Sequence, residues 1–121
     1  KEYLIETRIN KAKELLRTFE KNPYATPSLK ECQNEAGEEV VNALIEMGEL
    51  MPVSQEVLFR KKDYDALVDK VRAAIQANGQ ITLAEARDAF GTTRKYAQAL
   101  LEHLDAIGVT VRAGDARKLR K

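Results

Sequence analysis

Two pairs of cations stand out in the last third of the chain by their placement. Arg94 and Lys95 follow "GTT" at the point where a helix is expected to begin, and Arg112 and Arg117 flank Gly114 and Asp115. A helix start exposes unpaired N–H groups and carries partial positive charge, so cations there cost about 0.3–1 kcal/mol unless an anion lies close by. A two-residue turn at Gly114-Asp115 would set Arg112 opposite Arg117, which is also unfavourable without an anion between them. With a three-residue loop, Val111 would instead face Arg117. The chemistry that suits both pairs is the binding of a polyanion, with Thr92 or Thr93 adding a capping hydroxyl and Gln98 lying one helical turn beyond Arg94.

Other chemistries lack their residues. Cys32 is the only cysteine and His103 the only histidine, so neither an internal disulfide nor a zinc cluster is expected. Cys32 reads as a buried packing residue, and His103, set among Leu100, Leu101 and Leu104, reads as structural with no nucleophilic triad around it. No "GxxxxGK" phosphate loop occurs, so no catalytic residue, cofactor or metal is assigned.

The 121 residues are 44% hydrophobic and 32% charged, enough for one medium domain or two small ones. No stretch is apolar enough to span a membrane, and a cytoplasmic location is expected. The chain opens on Lys1, and a longer parent protein is expected. Net charge is +1, but its distribution is uneven: residues 1–93 hold 13 Lys or Arg against 16 Asp or Glu, whereas residues 94–121 hold 7 against 3. Basic charge gathered at one end suits a localised polyanion contact.

The elements that position these residues form a repeat. A helix over roughly 2–21 carries Leu4, Ile5, Ile9, Ala12, Leu15, Leu16 and Phe19, and one over roughly 63–78 carries Tyr64, Leu67, Val68, Val71, Ala74 and Ile75. Each precedes a capping box, "SLKE" at Ser28–Glu31 and "TLAE" at Thr82–Glu85. A glycine turn (Gly37, Gly91), a third helix ending near Gly48 or Gly108, and a hairpin follow. Leu44 with Leu104, Gly48 with Gly108 and Phe59 with Leu119 all differ by 60 positions. Helix, helix, helix, hairpin is a winged helix, a helix-turn-helix variant. The expected fold is therefore mainly α with small β-hairpins, as two tandem winged-helix domains over 1–61 and 62–121 joined by "KKD".

The halves differ where nucleic acid would bind. The third helix of the second half should be about six residues longer, with Ala97, Leu100, Leu101, Leu104 and Ile107 buried and Arg94, Gln98, Glu102 and Asp105 on a polar stripe. The first wing, "ELMPVSQEVLF", has no Lys or Arg and a Pro suited to an edge strand, whereas the second, "GVTVRAGDARKLRK", is basic.

Residues 87–120, "RDAF" followed by "GTTRKYAQALLEHLDAIGVTVRAGDARKLR", closely resemble the last winged helix of the bacterial selenocysteine-specific translation elongation factor (SelB) family. The family's "TTRKY", "LLE-LD" and "T-R-GD-R-L" patterns stand at Thr92–Tyr96, at Leu100–Glu102 with Leu104 and Asp105, and at Thr110, Arg112, Gly114, Asp115, Arg117 and Leu119. Residues 1–62 match only as a preceding winged helix. The resemblance implies a module, not an enzyme, that binds the selenoprotein mRNA hairpin beside a UGA codon. GTP, selenocysteinyl-tRNA and the ribosome would be partners of the full-length factor, and the fragment is expected to be a monomer.

Carried onto this chain, the RNA-binding residues are Arg94, Lys95, Tyr96 and Gln98 on the helix with Arg112, Gly114, Asp115 and Arg117 on the wing. Arg and Lys reach phosphates, Gly114 permits close backbone approach, and Asp115 can accept from a base edge. Asp115 could equally serve only the turn, and Tyr96 could be core. Because the A-form major groove is too narrow for a helix, the helix start and wing are expected to grip the loop and upper stem. Two rivals stand beside this reading: a DNA-binding winged-helix regulator, against which the acids Glu102 and Asp105 weigh, and a protein-interaction winged helix, a role the acidic first half could itself fill as a spacer.

Overall fold

The computed structural model describes the backbone of residues 2–120 and the side chains of residues 6–120. Leu4 and Ile5 of the first expected stripe, and Lys121, lie outside the described side chains. The chain divides into two compact units, Lys1–Lys62 and Asp63–Lys121. Both are winged helices, so the fold class expected from the sequence is the fold observed.

The first unit runs α1 (Glu2–Lys21), α2 (Leu29–Ala36), α3 (Glu38–Glu46), β1 (Leu50–Pro52) and β2 (Leu58–Arg60). Leu15 and Phe19 of α1 are buried against Cys32, Val41, Leu44, Leu50 and Leu58. Ser28 and Glu31 form the reciprocal capping box that starts α2. Cys32 is fully buried, and its burial pushes the thiol up to about 12, so it packs as a small hydrophobe. Ile9 departs from the expected apolar stripe, being 47% exposed.

The second unit runs α4 (Lys61–Asn78), β3 (Ile81–Thr82), α5 (Leu83–Phe90), α6 (Arg94–Ala106), β4 (Thr110–Ala113) and β5 (Ala116–Leu119). The "KKD" segment is the first turn of α4, where Asp63 complements the positive helix start. Tyr64, Leu67, Val71 and Ile75 bury one face of α4. The second capping box, Thr82 with Glu85, starts α5, and Gly91 ends it in the left-handed conformation at φ 61°.

Three features differ from the sequence reading. The helix α6 has 13 residues against 9 in α3, a surplus of four and not six, because Gly91, Thr92 and Thr93 form a turn whereas α3 starts directly after Gly37. Ile107 is 53% exposed, since it caps α6 and the turn into Gly108 swings it outward, while Ala99 is buried. A strand unforeseen in the sequence, β3, pairs with β5 to make a three-stranded sheet in the order β3-β5-β4. The corresponding stretch of the first unit carries Pro27, which has no N–H to donate; there the Thr26 hydroxyl donates to Leu58 O of β2 and the Leu29 N–H to Glu56 O, just before that strand.

Strand pairing also adjusts the internal repeat. Leu50 pairs with Arg60 and Thr110 with Leu119, so with Leu50 equivalent to Thr110 the second strands differ by 59 positions. Phe59 is therefore not the counterpart of Leu119; Arg60 is. The hydrogen bonds that close each wing agree, Lys61 N–H to Glu49 O in one unit and Arg120 N–H to Val109 O in the other.

Candidate nucleic-acid interface

The wing register is that of the two-residue turn. Arg112 pairs with Arg117 and Ala113 with Ala116, leaving Gly114 and Asp115 at the tip. Gly114 takes φ 64° and Asp115 does not take positive φ, the pattern of a type II′ turn with glycine at its first central position. The Nε–H of Arg112 donates to the Gly114 carbonyl at 3.1 Å, which folds that side chain along the turn.

Helix α6 begins at Arg94 with Thr93 as N-cap, but the Thr93 side chain makes no capping hydrogen bond and the first turn holds no acid. No acid of its own first turn offsets its positive end, and Arg94 and Lys95 add to it. Pairing of β3 with β5 brings the start of α5 against the wing. The result is a cleft of about 270 Å³ lined by Leu83, Ala84 and Arg87 of α5, Arg94 of α6, and Arg112, Asp115 and Arg117 of the wing.

Four guanidinium groups against one carboxylate make this cleft strongly cationic, and its walls exclude part of the screening solvent. The arginines are not equivalent. Arg87 pairs with Asp88 at 3.1 Å, both well exposed. Arg117 is only 4% exposed, and its Nε–H donates to Asp105 Oδ2 at 3.2 Å. Asp105 was expected on the polar stripe; it is instead half-buried, turned onto the sheet by Arg117 and by the Thr110 hydroxyl.

Of the eight residues singled out in the sequence, Arg94, Arg112, Asp115 and Arg117 line the cleft, and Gly114 adjoins it through its carbonyl. Lys95, Tyr96 and Gln98 do not line it. The Lys95 ammonium lies 5.6 Å from the centre of the Tyr96 ring, a cation–π distance, and Gln98 donates to Glu102 at 3.0 Å along the helix. Arg87, with Leu83 and Ala84, is the part sequence reasoning missed. Leu83 and Arg87 are one turn apart on α5, but only the β3–β5 pairing turns that face to the wing.

Deeper in the unit, His103 of α6 shares a hydrogen bond of 2.9 Å with the Tyr64 hydroxyl of α4, ring against ring in a T-shaped arrangement. Burial holds the His103 pKa below its ordinary value.

A cationic cleft between the third-helix start and the wing, on a tandem winged-helix frame, defines the class: a winged-helix chain whose last helix and wing meet at a basic cleft. Residues 73–119 match the family model described as the winged helix of elongation factor SelB. That match lies within the second winged helix of this chain. The chain is 37% identical over 78 residues to the selenocysteine-specific elongation factor of Desulfomicrobium baculatum, covering 64% of this chain and 12% of the relative. It thus spans about an eighth of that relative's length. The mRNA-binding domain of elongation factor SelB from E. coli, solved in complex with SECIS RNA, superposes with TM-score 0.77 at 22% identity, covering 96% of this chain and 98% of that one. A bacterial selenocysteine-specific elongation factor, EF-Sec, superposes with TM-score 0.71 at 18% identity, covering 96% of this chain and 18% of that one.

Proposed function

We propose that this chain is the mRNA-binding region of a selenocysteine-specific elongation factor, and that it recognises the selenocysteine-insertion hairpin beside a UGA codon through its second winged helix. The observation that carries the reading is the cleft in which Arg87, Arg94, Arg112 and Arg117 surround Asp115. Arginines can hold phosphates by paired N–H donors or stack on splayed bases, and a carboxylate among them accepts hydrogen bonds from a base edge that phosphate cannot offer. The apolar floor of Leu83 and Ala84 suits the face of an unstacked loop base.

The role is binding and not catalysis. In the full-length factor, guanine nucleotide, selenocysteinyl-tRNA and the ribosome would engage other domains, in the cytoplasm, with the fragment acting as a monomer. The first winged helix, over 1–61, would serve as spacer and the second, over 62–121, as RNA binder. The wing of the first has Arg60, 3.7 Å from Glu20, as its one cation between Glu49 and Arg60, and its third helix opens with Glu38 and Glu39, which repel phosphate.

Nitrogen-labelled protein titrated with a selenoprotein mRNA hairpin tests this reading. The largest shifts are expected at Arg94, Arg112, Asp115, Arg117 and the start of α5. Shifts gathered on α3 and the first wing would overturn it.

A further inference from the structure

We propose that Asp105 and Thr110 are positioning residues that hold the Arg117 guanidinium at the phosphate-binding cleft; the inference rests on the reading just given. Asp105 Oδ1 accepts from the Thr110 hydroxyl at 2.6 Å, and Oδ2 accepts from Arg117 Nε–H at 3.2 Å. Thr110 is 2% exposed and Arg117 4%, and both meet the half-buried Asp105 carboxylate, so this is a largely buried polar triad. Engaging Nε leaves the two Nη groups for the cleft that Arg117 lines. A long side chain that would otherwise sample many rotamers is thereby fixed before any anion arrives.

The first unit supplies an internal comparison. Gly48 N–H bonds Ile45 O and Glu49 N–H bonds Leu44 O, as Gly108 N–H bonds Asp105 O and Val109 N–H bonds Leu104 O. That alignment and the strand registers make Ile45, Leu50 and Leu58 the counterparts of Asp105, Thr110 and Arg117. Leu50 and Leu58 are buried and Ile45 packs partly against the core. The same fold therefore closes the same corner with hydrocarbon alone. Buried ion pairs are seldom more stabilising than well-packed apolar residues of similar volume, so stability does not account for the triad. The unit that carries it is the unit with the cationic cleft.

Asp105→Asn separates positioning from bulk charge by sign. Removing a negative charge beside the cleft should tighten binding of a polyanion if field strength alone matters. Positioning predicts the opposite: about tenfold weaker binding of a selenoprotein mRNA hairpin, the scale of one lost charge-assisted hydrogen bond. In RNA-free protein, the Arg117 Nε–H resonance should exchange slowly with water in the wild type and measurably faster in Asp105→Asn, whose neutral Oδ1 is a weaker acceptor.

The triple variant Asp105→Ile, Thr110→Leu, Arg117→Leu transplants the first unit's solution. It is expected to unfold at no lower urea concentration than the wild type, yet to bind the hairpin more weakly with a salt slope reduced by about one. Equal or tighter hairpin binding by Asp105→Asn, an unchanged Nε–H signal in it, or failure of the triple variant to fold would each overturn the proposal. Failure of the wild type to prefer the hairpin would strike the functional reading instead, and the RNA-free resonance would still test Asp105.

Discussion

Arg112 and Arg117 stand directly opposite each other in the wing ladder, and only Arg117 has a carboxylate partner, Asp105. Like charges at directly opposed positions destabilise a hairpin, by about 0.2–1 kcal/mol relative to neutral pairs. In the proposed role, a phosphate bound at the wing would relieve that repulsion.

Arg112→Thr should accordingly stabilise the free protein at low ionic strength while weakening hairpin binding. The gain is expected to shrink as salt rises, because screening already softens the repulsion in the wild type. Urea unfolding midpoints at low and high salt, beside hairpin affinities, check the pairing of the two effects. A variant that is less stable at low salt would mean that the Nε bond to the Gly114 carbonyl outweighs the repulsion.

Arg94→Ala removes a cation from a helix start whose first turn holds no acid and whose Thr93 side chain makes no capping bond. Helix-dipole energetics predict a stability gain of about 0.3–1 kcal/mol in the free protein. Binding should weaken toward any RNA, with the salt slope smaller by about one unit, the signature of a phosphate contact. Loss of affinity with an unaltered slope would assign Arg94 to a base.

Much of this arrangement was legible in the sequence because it depends on local rules. The two capping boxes, the glycine helix ends and the Gly114-Asp115 turn each use a residue type for its backbone chemistry, and all form. What stayed hidden depends on side-chain direction and long-range pairing. Asp105 looked like a surface acid by helical periodicity, and only the turn of Thr110 and Arg117 toward it explains its half-buried position. Arg87 could not be joined to the wing without β3, a two-residue strand too short to leave a periodic trace. Nor does the sequence tell that Arg117, one of the wing's expected RNA contacts, pairs with Ile81 and is buried where it lines the cleft.

Asp115 is exposed at the wing tip and lines the cleft among cations, a poor place for a carboxylate meant only to favour phosphate. Asp115→Ala is expected to change affinity for the native hairpin less than it flattens the ranking across loop-substituted hairpins. Discrimination of about 1–3 kcal/mol per base is at stake for a well-formed base-edge contact. An unchanged ranking would leave Asp115 as a turn residue.

The burial of His103 against α4 predicts a pH dependence of stability. Burial lowers the pKa of His103 in the folded protein, so the unfolded chain takes up its proton first as pH falls. This contribution is fully present above the unfolded value of about 6.5. It is lost progressively as pH falls from there toward the folded pKa, below which both states carry the proton. Urea unfolding between pH 7.5 and about 5 should show this decline, and His103→Gln should remove it from that window while lowering overall stability.

Whether the basic cleft reads an RNA hairpin loop is decided by a salt-dependent affinity titration. The chain would be titrated with a selenoprotein mRNA hairpin, the same hairpin with its loop substituted, and a DNA duplex of the stem sequence. Recognition by the cleft predicts tight binding to the native hairpin, with a preference over both competitors that persists as salt rises. Equal binding to all three, fading together with salt, would contradict it and reduce the four arginines to a nonspecific anion surface.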